Sequence, residues 1–230
     1  MREIVLDTET TGLDPREGHR MVELAALELV ERVPTGRTLH LYFNPERTMP
    51  PEAERVHGLT DAFLADKPRF AERLDEVAAF LADSPLVAHN AIFDWRFLNL
   101  ELETAGAPPL PFERMIDTME LARRRLPGAR HSLDALCQRF GIDLSRRMRH
   151  GALIDTELLA AVYVELTGGR QMGLDLATAA AVEEGRPRER PARSPRHFAV
   201  PADELERHRA FVAAMQEPIW LRAGAGRAGA

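Results

Sequence analysis

Short apolar runs alternate with helix-like patterns over most of the chain. Residues 2 to 9 carry a β-branched and aliphatic run that ends at the turn-prone TGLDP of residues 11 to 15. This pattern is typical of a buried strand. Residues 21 to 31 fit a strand or a helix equally well, whereas residues 38 to 43 alternate as a strand does before Asn44-Pro45 ends the run.

Four later segments predict helices, and one predicts a further strand. Phe70, Leu74, Val77 and Leu81 follow helical spacing, and Ser84-Pro85 stops that pattern. A strand is predicted over residues 86 to 89, and the other helices over about 91 to 104, 133 to 140 and 151 to 166. Ser132 and Gly141 are suited to cap the helix predicted over residues 133 to 140. The alternation of strands and helices predicts an α/β fold.

Composition narrows the classes of protein to which the chain can belong. A length of 230 residues with 45% hydrophobic content suits one packed domain with an extension. The net charge of −6 argues against a surface devoted wholly to nucleic acid. Cys137 is the only cysteine, so no intrachain disulfide can form. Early acidic residues and the lack of a long apolar run predict a cytoplasmic protein without a membrane partner.

Acidic residues stand at the ends of the predicted strands. Asp7 and Glu9 are two positions apart in a strand, so their side chains leave the same face. An arbitrary pair of this kind is more often a solvated strand end. Asp94 follows the predicted strand at 86 to 89, however, and Asp155 lies in an apolar part of the last helix. Such clustered acids would repel one another unless two divalent ions, Mg²⁺ or Mn²⁺, compensated their charge.

Two hard cations of this kind suit phosphodiester hydrolysis and require no protein nucleophile. His150, five residues before Asp155, is the candidate general base because imidazole titrates near neutral pH. The spacing places it in the loop before the helix. The alternative is a surface histidine that follows a basic run. Cys137 falls on an apolar helix face, where core packing is expected instead of reactivity.

Three segments resemble the DnaQ-like, or DEDDh, 3′→5′ exonuclease superfamily. They are VLDTETTGLDP at 5 to 15, VAHNAIFD at 87 to 94 and HGALIDTELLA at 150 to 160. The resemblance implies that four acids bind the two metals and that a histidine is the base. The five matching positions are Asp7, Glu9, Asp94, His150 and Asp155.

Residues 56 to 68, 127 to 143 and 160 to 169 are further similar to the proofreading epsilon-subunit family of bacterial DNA polymerase III. This likeness implies a ribonuclease H-like fold, with a mixed central sheet flanked by helices and the acids at its edge. It also implies a substrate, the single-stranded or frayed 3′ end of DNA. By the same likeness, the terminal nucleotides would be bound by Thr10, Thr11, Gly12, Leu13, His57 and Phe93. Each of these also has a structural interpretation, as a turn, a loop or ordinary core.

The resemblance divides the chain into four parts. Residues 1 to 169 would form the exonuclease domain, and residues 170 to 176 resemble the Q-x-x-L-x-[LF] peptides that bind the sliding clamp, through Gln171, Leu174 and Leu176. The arginine- and proline-rich composition of residues 177 to 197 predicts a flexible linker within a largely disordered C-terminal tail. Residues 198 to 230 correspond to the segment that binds the polymerase catalytic (alpha) subunit, with Trp220 as anchor.

Two other functions stay open at this point. A stand-alone exonuclease for RNA or short oligonucleotides would use the same five residues, although it would have little use for a docking tail. An inactive structural subunit would be expected to have lost at least one of the five, and all are present.

Overall fold

The computed structural model describes residues 1–145, 147, 150–168 and 199–216. The chain divides into two compact units, Met1–Leu174 and Asp175–Ala230. The first unit contains the sheet and every residue of the candidate active site.

A five-stranded mixed sheet is the centre of the first unit. Its strands are β1 (Arg2–Thr10), β2 (Met21–Val30), β3 (Val33–Tyr42), β4 (Leu86–Ala88) and β5 (Met115–Asp117), in the spatial order β3-β2-β1-β4-β5. β1 pairs antiparallel with β2, and β2 with β3, whereas β4 runs parallel to both β1 and β5. The predicted mixed sheet is therefore confirmed. Residues 21–30 are a strand because they lie between two neighbours and are buried on both faces.

The helices of the first unit cover both faces of this sheet. They are α1 (Pro51–His57), α2 (Asp61–Leu64), α3 (Leu74–Leu81), α4 (Ala91–Thr104), α5 (Thr118–Arg125), α6 (Leu133–Phe140) and α7 (Ala152–Leu166). The predicted helix at 70 to 81 begins as a 3₁₀ turn over Phe70–Arg73. Ser132 caps α6 and Gly141 ends it in the left-handed conformation, as predicted. The sequence pattern does not predict α1, α2, α5 or β5.

The alternation of side chains along β1 separates two cores. Ile4 and Leu6 pack with the apolar residues of α3 and α4. Val5, on the other face, packs with those of α6 and α7, including Cys137. Burial raises the pKa of the Cys137 thiol to about 11, in keeping with the predicted core role. By the same alternation, Asp7 and Glu9 face the α7 side.

The second unit contains one described helix, α8 (Ala202–Ala213). Gln171, Leu174, Leu176, Trp220 and the linker at 177 to 197 lie outside the described residues. Among the helices of the described ranges, none has both the length and the apolar character needed to cross a membrane.

An ion pair joins Arg20, the residue directly before β2, to the buried Glu101 of α4. The Arg20 Nε and Nη2 atoms donate to the two Glu101 carboxylate oxygens at 2.8 and 2.6 Å, and the Met21 backbone N–H donates to Glu101 at 3.2 Å. Glu101 is only 2% exposed. A buried charge pair of this kind is costly to break on one side, because the remaining charge loses its partner.

Glu101→Ala is therefore expected to lower the free energy of unfolding by about 2 kcal/mol, because the partly exposed Arg20 guanidinium and the Met21 N–H both lose their acceptor. Chemical denaturation of the full chain measures this. Glu103→Ala, on the exposed side of the same helix, is the control and should change stability little. Equal effects of the two substitutions would contradict the structural role of the pair.

Candidate active site

Four acids from three separate segments meet at one edge of the sheet. Asp7 and Glu9 lie near the end of β1, Asp94 lies in the first turn of α4, and Asp155 in the first turn of α7. β1 and β4 are parallel, so their carboxyl ends reach the same edge. Asp94 and Asp155 are each 3% exposed and Glu9 is 9% exposed. The four positions singled out from the sequence thus share one site.

The charges of these acids act on one another. Burial, followed by the charges of Asp94, Glu9 and Asp155, raises the pKa of Asp7 well above its usual range. Burial and the charge of Glu23 raise the pKa of Glu9 to about 8. Burial also raises the pKa of Asp94 to about 7, although its hydrogen bond from Thr8 acts in the opposite direction. Added positive charge would therefore relieve the repulsion among Asp7, Glu9 and Asp94.

Asp94 is held in place from β1. The Thr8 hydroxyl donates a hydrogen bond of 2.7 Å to the Asp94 Oδ1 atom, and both residues are buried. Thr8 alternates with Asp7 and Glu9, so it faces the α4 side of the strand. One three-residue stretch of β1 consequently supplies two acids of the cluster and the support of a third.

Asp155 and His150 share contacts with Arg147. The Arg147 Nε and Nη2 atoms donate to the two Asp155 oxygens at 2.6 and 2.7 Å. The His150 Nδ1 atom lies 2.9 Å from Arg147 Nη2 and 3.2 Å from Asp155 Oδ2. His150 lies just before α7, as its spacing predicted, and its side chain is 52% exposed.

The arrangement fits a metal centre. Potential ligand atoms of Glu9, His150 and Asp155 lie within 4.8 Å of one another. Carboxylate oxygens are the preferred ligands of hard divalent cations, and the raised pKa values of Asp7, Glu9 and Asp94 mark where such charge is missing. Cations bound here would relieve that repulsion.

A cavity of about 580 Å³ opens directly beside Glu9. All six residues that the family resemblance assigned to substrate binding line it, namely Thr10, Thr11, Gly12, Leu13, His57 and Phe93. Its other wall includes Glu17, His19, Pro50, Glu52, Ala53 and Val56. The sequence analysis did not single out this second set.

The floor of the cavity depends on the absence of a side chain at Gly12. A Cβ atom there would lie 2.3 Å from the His19 Cε1 atom, far inside contact distance. The Thr11 hydroxyl lies 3.1 Å from His19 Nδ1 and accepts a hydrogen bond from the Arg20 backbone N–H at 3.0 Å. The ring of His19 is thereby fixed against the glycine.

The remaining predicted binding residues differ in exposure. Leu13 is 85% exposed at the cavity, an unusual position for a large apolar side chain. His57 is buried, its Nδ1 atom accepts a hydrogen bond from the Leu59 backbone N–H, and burial lowers its pKa. Phe93 is partly buried, with its ring 5.0 Å from that of Phe97. Phe93 therefore joins the core to the cavity wall.

Several site residues escaped the sequence analysis. The sequence pattern singles out neither Arg147, which lies in a basic run, nor Thr8, which lies between Asp7 and Glu9. Glu23 was also missed, although it lies opposite Glu9 in the β1–β2 register and its pairing with His40 at 2.7 Å keeps it beside the acids. A signal was present for Glu23, since an acid within the apolar run MVELAALELV demands a partner.

Proteins of similar sequence identify the family of the chain. The exonuclease family model matches residues 4–163. The DNA polymerase III subunit epsilon of Rickettsia felis is 55% identical over 174 residues, which cover 74% of this chain and 76% of that protein.

Solved structures show the same fold. Exonuclease X, in complex with 5′ overhanging duplex DNA, is 30% identical with a TM-score of 0.57, over 72% of this chain and 90% of that one. The nuclease domain of 3′hExo, a DEDDh family member bound to rAMP, has a TM-score of 0.63 at 18% identity, over 72% and 91% of the two chains. The predicted ribonuclease H-like fold is confirmed. The chain belongs to the exonuclease family and, within it, to the epsilon-subunit family of DNA polymerase III.

Proposed function

We propose that the chain is a proofreading 3′→5′ exodeoxyribonuclease subunit of a bacterial replicative DNA polymerase, which releases nucleoside 5′-monophosphates. The observation that carries the proposal is the meeting of Asp7, Glu9, Asp94 and Asp155 beside a cavity of about 580 Å³. That volume is within the range of about 300–1,000 Å³ common for small-molecule sites. It suits a terminal nucleotide.

Asp7, Glu9, Asp94 and Asp155 would hold two divalent ions, Mg²⁺ or Mn²⁺. When bound, such ions activate water and stabilise the charge that develops on the phosphate. The raised pKa values of three of the acids support this assignment, since acids that repel one another gain most from bound cations.

The chain's own residues perform the remaining tasks. His150 is exposed beside Asp155 and would take the proton of the attacking water. Thr8 keeps Asp94 oriented. Thr10, Thr11, Gly12, Leu13, His57 and Phe93 would hold the terminal nucleotide.

Selectivity for mismatches follows from access to the cavity. A 3′ end must leave its partner strand to enter, and the cost of unpairing is lowest for a mismatched end. A frayed end would therefore reach the acids more often than a paired one.

The alternatives have less support. A free exonuclease for RNA or oligonucleotides would share the site, but the epsilon relatives are named as polymerase subunits and Exonuclease X was solved with DNA. An inactive structural subunit would have no need for an intact cluster of four acids and a histidine.

Asp7→Asn tests the catalytic proposal. It is expected to lower the rate of excision from a 3′-mismatched primer about a thousandfold or more, because a charge that binds the cations is lost. It should also raise the thermal midpoint of the metal-free chain by about 2–4 °C, since a buried, repelled carboxyl is replaced by a neutral amide.

Asp75→Asn, an exposed aspartate on α3, is the matched control and should leave both quantities unchanged. Parent activity equal to that of Asp7→Asn, or no activity in either, would refute the enzymatic proposal.

Gly12→Ala tests the nucleotide slot. The new Cβ atom would displace the His19 ring from the cavity floor, so kcat/KM is expected to fall about tenfold to a hundredfold, the usual scale for a misplaced binding group. The double substitution Gly12→Ala with His19→Ala removes the collision and should recover much of the loss. No recovery, beside an active His19→Ala single variant, would mean that the steric explanation is wrong.

The C-terminal part would attach the enzyme to the replication machinery. In this proposal, residues 1 to 169 are the exonuclease domain and residues 170 to 176 bind the sliding clamp through Gln171, Leu174 and Leu176. Residues 177 to 197 form the linker, and residues 198 to 230 bind the alpha subunit with Trp220 as anchor. The exposed Phe211 and Leu205 of α8 add apolar surface to that last segment.

A chain that ends at Gly169 is expected to keep its nuclease activity and to lose copurification with the polymerase catalytic subunit. Trp220→Ala in the full chain should weaken the association in the same direction. Unchanged association of the truncated chain would overturn the role assigned to the tail.

A further inference from the structure

Arg147 joins two groups that the proposed reaction needs in a free state. It bonds both oxygens of Asp155 at 2.6 and 2.7 Å and approaches His150 Nδ1 at 2.9 Å. Its remaining nitrogen, Nη1, bonds Asp134. The Arg147 side chain is only 10% exposed and that of Asp155 only 5%. This is a buried, bidentate pair, the strongest form of such a contact.

The shorter of the two His150 Nδ1 contacts favours one tautomer of the ring. A guanidinium can only donate, so His150 Nδ1 must be the acceptor at 2.9 Å. A hydrogen bond across the longer separation of 3.2 Å between His150 Nδ1 and Asp155 Oδ2 would require Nδ1 to donate instead. A neutral imidazole with its Nδ1 lone pair engaged bears its proton on Nε2. In this arrangement His150 has no lone pair with which to accept a proton.

The positive charge of Arg147 also stands where a cation would bind. Among the residues that the structure describes, Asp155 alone of the four acids is bonded to an arginine. Glu9, His150 and Asp155 are also the group whose ligand atoms come closest together. A cation that coordinates Asp155 must compete with the guanidinium for its oxygens.

We propose that Arg147 is a positioning residue that holds Asp155 and His150 in an inactive arrangement and releases both when the divalent cations bind. The base is then freed only when the metal centre is complete. Arg147 lies between α6 and α7, outside any helix or strand, so its movement does not require a helix to unfold. This inference rests on the proposed function.

Arg147→Gln in the full chain tests the proposal. Without metal it should lower the thermal midpoint by about 4 °C or more, because Asp155 loses its buried partner. Titration with Mn²⁺ alone, followed by calorimetry, should show binding that is about tenfold tighter, the gain expected if the inactive arrangement is about nine-tenths populated. If Arg147 had only a structural role, its replacement would lower both the thermal midpoint and the affinity for Mn²⁺.

Arg124→Gln is the matched control. Arg124 bonds Glu120 in an exposed pair on α5, so its replacement should change neither the midpoint nor Mn²⁺ binding. Arg147→Lys keeps the charge but loses the bidentate fork, and its Mn²⁺ affinity should fall between those of the parent and Arg147→Gln.

The tautomer of His150 gives a second readout that needs no substitution. Long-range ¹H–¹⁵N spectra of the parent without metal should show the proton on Nε2, and addition of Mg²⁺ should change that signature. In metal-free Arg147→Gln, the ¹H–¹⁵N signals of the His150 ring should differ from those of the metal-free parent. A proton on Nδ1 in the metal-free parent, or Mn²⁺ binding that is unchanged or weaker in Arg147→Gln, overturns the positioning role proposed for Arg147.

These outcomes are separable from failure of the proposed function. Suppose that the parent excises mismatched ends and binds Mn²⁺, but Arg147→Gln does not bind Mn²⁺ more tightly. This result refutes only the positioning role of Arg147. A parent that binds no Mn²⁺ refutes the proposed metal centre and, with it, the positioning role of Arg147.

Discussion

The repulsion among buried carboxylates is the constraint on which this site depends. Asp7, Glu9 and Asp94 all have raised pKa values because burial and neighbouring charge oppose their ionisation. A core without function would not retain such a cluster, since apolar residues of similar size would be more stable there. The cluster is stable as a set of anions only with added positive charge. The same instability that costs the fold free energy would therefore contribute to the affinity for cations that we propose for this site.

The fold meets this constraint through one strand. β1 is central in the sheet, and its first residues pack into the two cores on alternate faces. At its end the same alternation directs Asp7 and Glu9 toward α7 and Thr8 toward α4. Asp155 and Asp94 lie in the first turns of those two helices, where the partial positive charge of the helix N-terminus favours an acid. The site is thus a continuation of the packing that forms the core.

Much of this arrangement could be predicted because it follows from local patterns. The period of two in β1 placed Asp7 and Glu9 together, and the spacing of His150 and Asp155 placed the histidine before the helix. The mixed character of the sheet came from the resemblance, since periodicity carries no information on pairing. The order of its strands, β3-β2-β1-β4-β5, was not predicted. α1 and α5 were missed because they are short and rich in charged residues, so their apolar faces are too small to show a clear period.

Arg147 shows why long-range contacts are the hardest to predict. Its partners Asp134 and Asp155 lie 13 and 8 residues away, and nothing in the sequence around Arg147 marks it for these two contacts. The structure explains the choice of residue type. Only the planar fork of arginine can bond both oxygens of Asp155, reach His150 with one shared nitrogen and bond Asp134 with the other. Lysine, as a single point of charge, could satisfy one of these partners at a time.

Asp134 is 55% exposed and carries no role in the cluster, so it remains available to the guanidinium after Asp155 is taken by a cation. An arginine with one partner inside the site and one outside can leave the first without becoming an unpaired charge.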